Sequence, residues 1–212
     1  MRRTLECSRI VSDYDEAMSD TPLLCWQGAE GPQQARWRSE NGSPVPRRVV
    51  VADDTLAADR AYRLACEGTA LLWQGDFQNA RQLLQALARR ADKPARKKTP
   101  ADTSALTARE RFHLHRQAQA QRARTLGMLL IPLQADHSIA LRRAPDLRQA
   151  CLQAWGDSDD QHSVTSLREL LGVVGAHEWR KKGVEIAALG APPHNRIHAH
   201  YGVFSPVRGE YL

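Results

Sequence analysis

Residues 47–91 read RRVVVADDTLAADRAYRLACEGTALLWQGDFQNARQLLQALARRA. Arg47 to Ala52 is a short β-branched run, and Asp53 and Asp54 after it carry helix N-cap chemistry. Ala57, Ala61, Leu64, Ala65, Leu71 and Leu72 then recur at mostly three-to-four spacing, which predicts an amphipathic helix. Gly75 and Asp76 break it. Phe77, Ala80, Leu83, Leu84, Leu87 and Ala88 fall on one face of a second helix. The expectation is a helical hairpin subdomain over residues 47–90, with small Ala positions that let the two backbones approach.

On the N-terminal side, residues 1–46 mix charge, Gly and Pro without periodicity (GAEGPQQARWRSENGSPVP) and are expected to form a flexible leader. The leader starts on basic residues but has no apolar core and soon turns acidic, so it does not read as a signal peptide. On the other side, residues 91–107 (ADKPARKKTPADTSALT) have linker composition.

Residues 108–212 are expected to form a mixed α/β region. A polar helix spans about Ala108 to Thr125 and ends at Gly127. MLLIPL, Met128 to Leu133, reads as a buried strand, with SIAL, Ser138 to Leu141, as its hairpin partner. Pro145 opens a helix (PDLRQACLQAWG). A further helix runs from about Val164 to the Gly175 region. Val184 to Leu189 and Ile197 to Phe204 are candidate strands. The fold class is α+β: a helical N-terminal subdomain followed by a small mixed strand and helix region.

Composition limits the function classes. Hydrophobic content of 42% and charged content of 25% are ordinary for a globular chain. No window approaches the roughly 18 apolar residues of a membrane span, so no membrane partner is expected and the location is expected to be cytoplasmic. Cys7, Cys25, Cys66 and Cys151 are scattered with no CxxC, which fits reduced thiols and indicates neither zinc nor a disulfide framework. The net charge of +6, with a pI near 9.5, suits an anionic partner.

Two basic groups could meet such a partner. In ARERFHLHRQAQAQRART, Arg109, His113, Arg116 and Arg124 fall near one helix face, with Arg111 and Arg122 flanking. They could lie along phosphates. No aromatic stripe accompanies them for base stacking, and a charge run is commonly a solvated face. In GAHEWRKKGVEI, Arg180, Lys181 and Lys182 form a compact basic turn, anchored by packing of Trp179. These same cations would also favour a helix C-terminus electrostatically.

His177-Glu178 lacks the second His that a zinc-protease helix requires. His198 and His200 would share one face of a strand, with His194 nearby. No third carboxylate or Cys ligand accompanies them, so hydrogen bonding at a cleft is expected rather than metal. The chain contains no GxGxxG, GxxxxGK[ST] or GxSxG.

Four segments, GDFQNARQLLQALARR, HRQAQAQRARTLGMLLIPL, SLRELLGVVGAHEWRKKGVEI and RIHAHYGVFSPVRGEYL, carry a resemblance over about residues 47–212. The chain resembles the N-terminal half of bacterial class I S-adenosylmethionine-dependent methyltransferases of the small-domain and release-factor glutamine methyltransferase kind. In such enzymes a Pro-x-Arg-x-Glu stretch, here Pro206, Arg208 and Glu210, precedes a Rossmann-like domain. The relatives then carry an acidic, Gly-rich cofactor loop and an Asn-Pro-Pro-Tyr-type motif, and this sequence stops before both.

The resemblance implies a truncated chain: the substrate-recognition and lead-in part of an enzyme that moves a methyl group from S-adenosylmethionine to a polar nitrogen. The substrate would be a ribosomal protein, a release factor or an RNA, and the missing methyltransferase domain would be a partner. S-adenosylmethionine belongs to the full-length family and is not expected to bind this chain alone. His198, His200, Tyr201, Pro206, Arg208 and Glu210 would make substrate or interdomain contacts, and no residue is assigned to catalysis or cofactor binding. The alternative is a non-catalytic helical adaptor with a basic, nucleic-acid-binding face.

Overall fold

The computed structural model describes residues 22–93 and 106–203. The architecture is α+β, as composition and pattern imply. Its spine is a six-stranded mixed sheet in the order β1-β2-β6-β5-β4-β3, with a separate two-stranded β7-β8 ladder. The strands are β1 (Leu23–Gly28), β2 (Gly31–Arg38), β3 (Arg48–Ala52), β4 (Thr69–Trp73), β5 (Leu129–Leu133), β6 (Ser163–Ser166), β7 (Val184–Glu185) and β8 (Arg196–Ile197). Helix α1 (Ala58–Cys66) connects β3 to β4, and α2 (Phe77–Ala91) and α3 (Ala108–Leu126) lie between β4 and β5. Helix α4 (Arg148–Trp155) precedes β6, and α5 (Leu167–Lys182) follows it. Strands β3, β4 and β5 are parallel, β6 runs antiparallel to β5, and β2 is parallel to β6.

The helical hairpin expected over 47–90 is instead a β-α-β-α unit. Helix α1 stops at Cys66, and Gly68 turns the chain at φ +77°, a left-handed conformation open to glycine. The next five residues, TALLW, form a strand in which every residue is buried. Spacing alone cannot separate a short apolar run in a helix from a doubly buried strand. The strand solution buries both neighbours, Leu71 and Leu72, on opposite faces. Leu71 and Trp73 enter a core with Phe77, Leu87, Ile131 and Leu170 beneath the helices. Ala70 and Leu72 enter a second core with Leu24, Trp37, Leu130 and Val164.

The expected leader also changes character, since β1 and β2 lie within it. They pair as an antiparallel hairpin in which Gly28 faces Gly31. Gly31 takes φ +126°, and Pro32 sits where β2 has β1 alone as a neighbour, so its missing N–H costs no ladder bond. Leu24, Ala35 and Trp37 of the hairpin are buried. The sheet curls so that its two edge strands, β1 and β3, come against each other and the second core lies inside the curl.

Further along, β5 matches the expected MLLIPL strand, but SIAL forms no strand, and β5 pairs with β6 instead. Ser163–Ser166 is therefore a strand where a helix was expected to begin. Among the described residues, the expected strands over 184–189 and 197–204 shrink to the two-residue β7 and β8. Ala187–Leu189 is a single 3-10 turn. Residues 94–105 of the expected linker, and residues 1–21 and 204–212, lie outside the described residues.

Trp37→Ala tests whether the hairpin completes the core. It is expected to lower the unfolding free energy by ~3–5 kcal/mol, read by urea denaturation. A loss below ~1 kcal/mol would mean that β1 and β2 ride on the sheet without closing it.

Candidate anion-binding surfaces

Helix α3 begins with a reciprocal capping box. The Glu110 amide donates to Thr107 Oγ1 at 3.3 Å, and the Thr107 amide donates to Glu110 Oε2 at 2.8 Å. The Thr107 hydroxyl, which donates to Glu110 Oε2 at 2.7 Å, and the Thr107 amide together hold the Glu110 carboxyl below its usual range. Residues 108–121 are exposed on all sides, and burial begins at Thr125 and Leu126. At 1.5 Å per residue, ~21 Å of helix therefore stands clear of the body. Its base is tied to α2 by Arg122, whose Nε and Nη2 donate to the two carboxylate oxygens of Asp92 at 2.6 and 3.1 Å.

Arg109, Arg116 and Arg124 share one side of α3, as the spacing indicates. None of the three, nor Arg111, has an acidic partner among the described residues. The Arg116 guanidinium lies 5.9 Å from the Phe112 ring, itself 57% exposed. The free stretch thus presents cations, two imidazoles (His113 and His115) and one carboxylate already engaged in its own cap.

The second basic group lies elsewhere, at the C-terminal end of α5. Its Arg180, Lys181 and Lys182 are joined there by residues that the sequence treats as a separate set. His198 Nδ1–H donates to the Arg180 carbonyl at 2.6 Å, and Arg196 donates to the Lys182 carbonyl at 2.9 Å. Both side chains satisfy carbonyls that the helix end leaves open. Arg180 in turn donates to His200 Nε2 at 3.4 Å. Lys181 pairs with Glu178.

Trp179 is not the packing anchor expected of it. It is 54% exposed, with the Lys182 ammonium 5.5 Å from its ring. Trp179, Arg180, His200, Tyr201 and Val203 line a groove of about 220 Å³. Burial, together with Glu40 and Glu169, pushes the Tyr201 phenol up. Pro206, Arg208 and Glu210 lie outside the described residues. Among the described residues, no group of three or more His, Cys, Asp and Glu is placed to hold a metal, and no helix is long and apolar enough to cross a membrane.

The carboxyl ends of parallel strands are where open α/β sheets place nucleotide-type cofactors. At the ends of β3 and β4 the chain builds an ionic lock that the sequence reading did not identify. Asp76 caps α2 by accepting from the Gln78 amide at 2.9 Å. It also accepts from Arg143 Nε at 2.6 Å and Arg142 Nε at 2.9 Å. Asp54 accepts from the Asp76 amide and from Asn79. A Cβ at Gly75 would meet Asp54 Oδ1 at 2.7 Å and the Asp54 amide nitrogen at 2.9 Å, so the glycine there admits a carboxylate. The β3–α1 connection has no glycine. A cavity of about 500 Å³ lies beside it, lined in part by Asp53, Thr55, Arg60 and Gln74. These residues do not fit an open Gly-rich loop for S-adenosylmethionine.

In comparisons with known proteins, no family model matches the chain, and neither a curated protein nor a solved structure does.

The Arg143 guanidinium beside Asp76 holds that carboxyl at about 2, against an ordinary 3.8. A depressed folded-state value favours the folded form while the group is ionised. That contribution is complete above about pH 4 and is lost as pH falls through about 2. Asp146, held at about 2 by Arg148, acts in the same window, so a difference measurement is needed. Asp76→Asn should unfold at lower urea than the unmodified protein near neutral pH, with the gap closing on acidification. Asn caps a helix about as well as Asp, so a gap that is absent or independent of pH would show that the arginine pairs do not carry the Asp76 contribution.

Proposed function

We propose that the chain is the substrate-recognition and lead-in part of an S-adenosylmethionine-dependent methyltransferase, and that α3 is the element that engages an RNA substrate. The carrying observation is the free-standing basic half of α3. Its guanidiniums have no acidic partner among the described residues and are accessible over ~21 Å, and phosphates supply the complementary charge at regular intervals. The methyltransferase part of the reading rests on the resemblance of four segments, three of which correspond to α2, α3 with β5, and α5 with β7. In this reading the body would precede a Rossmann-like domain, and the groove beside Tyr201 would face it. The family reaction transfers a methyl group to a polar nitrogen. The part assigned to this chain is binding and orienting, because its own strand-end loops do not fit the cofactor.

The same helix supports a second reading, a non-catalytic adaptor that binds nucleic acid. The two readings share the α3 contact and differ in whether methyl transfer accompanies it.

Fluorescence anisotropy with a single-stranded RNA, followed from low to physiological salt, tests the contact. Each phosphate contact adds about −0.7 to the slope of log affinity against log salt for a single strand. Arg109→Ala, Arg111→Ala and Arg116→Ala together should therefore flatten the slope by about 2 units. Lys181→Ala, whose ammonium pairs with Glu178, should change it little. An unchanged slope in the triple variant would remove α3 from the RNA interface.

A further inference from the structure

On the helix-facing side of the sheet, Arg38 at the end of β2 sits beside Thr165 of β6. The two are partners in the parallel register, so their side chains emerge on one face. The Arg38 guanidinium lies over the ring of Trp155, at the end of α4, with its central carbon 4.8 Å from the ring centroid. It is half-buried, and burial is the main reason its pKa falls.

The polar atoms gathered here are unmatched. Arg38 Nε, Thr165 Oγ1 and Trp155 Nε1 are all buried without a hydrogen-bond partner among the described residues, and Thr165 is fully buried. Two acids, Asp159 and Glu40, act on Arg38 at longer range, but neither forms a salt bridge with it, and Asp159 pairs with Arg36. Arg36, two residues earlier on the same face of β2, adds further positive charge. A guanidinium, a hydroxyl and an indole N–H can each donate. Three groups that can donate and have no partner among the described residues, one of them a partly desolvated cation, leave an unfavourable arrangement that one acceptor-rich anion would relieve.

We infer that Arg38, Thr165 and Trp155 form a binding site for the oxyanion group of a small acid, a carboxylate or a phosphate. The Arg38 fork grips two oxygens, Thr165 donates to one of them, and the Trp155 ring holds the guanidinium plane in place. The site is separate from α3 and does not depend on the RNA reading.

Isothermal titration at constant ionic strength, with inorganic phosphate and with acetate as probes, tests it. The full chain should bind at least one anion saturably at one site per molecule, and the tighter anion identifies the group. Arg38→Met, which keeps an unbranched chain over Trp155, should weaken that binding by roughly ten-fold or more, and Thr165→Val by about three-fold. Without anion, Arg38→Met should melt at the same temperature as the unmodified protein or higher, because an unpaired charge is gone. It should lose the rise in Tm that the anion gives, while RNA binding through α3 stays unchanged. Should Arg38→Met fail to fold, Thr165→Val carries the test. The inference is overturned if neither anion binds the unmodified protein, or if the variants bind as tightly as it does.

Discussion

Strand β4 is buried on both faces, and the rest of the fold answers that demand. A strand that is apolar at every position needs a covering layer on each side. Helices α1, α2 and α5 supply one layer, through Ala61, Phe77, Leu87 and Leu170. The other layer is the sheet itself, curled until β1 and β2 bring Leu24 and Trp37 over Leu72 and Leu130. This requires strands from before β3 and after β5 to meet. The sheet order, in which β2 joins β6, is the result.

That junction brings polar residues inside. β6 reads SVTS, and all four residues are buried, with Val164 alone supplying an aliphatic side chain. Ser166 meets its need by capping α5, where its hydroxyl accepts from the Glu169 amide. Among the described residues Thr165 finds no such partner, and its neighbour Arg38 forms no salt bridge, with Asp159 and Glu40 acting on it only at longer range. The core of the sheet thus leaves an uncompensated donor cluster at the β2–β6 seam. Helix α3 shows the opposite constraint. Its buried residues, Thr125 and Leu126, lie at its last turn, so packing fixes one end and the charged remainder stays in water.

Elements with one dense signal could be read directly from the sequence. Helix α2 combines a 3.6-residue apolar period with Asp76 as its N-cap, β5 is a continuous apolar run, and α3 ends at Gly127 as expected. The α3 cations followed from spacing alone. The hairpin did not, because the apolar run Leu23 to Trp26 is only four residues long, and β2 buries just Ala35 and Trp37 among exposed Gln and half-buried Arg. Strand β6 was hidden by its Ser and Thr, and β4 by the chance that Leu71 and Leu72 also fit a helical spacing. The Arg38–Thr165–Trp155 cluster draws on three distant parts of the chain and exists only once the sheet order is known. Asp76 was visible as a turn residue, but its two arginine partners, from the segment before α4, were not.

Hydrogen exchange followed residue by residue, with and without a single-stranded RNA, tests most directly the account of a doubly covered β4 beside a free-standing α3. Amides of β4 should be among the last to exchange. Amides of 108–121 should exchange fast in the protein alone, because no packing protects them, and should slow when RNA is added. Core-like protection of 108–121 without RNA, or rapid exchange through β4, would contradict the account.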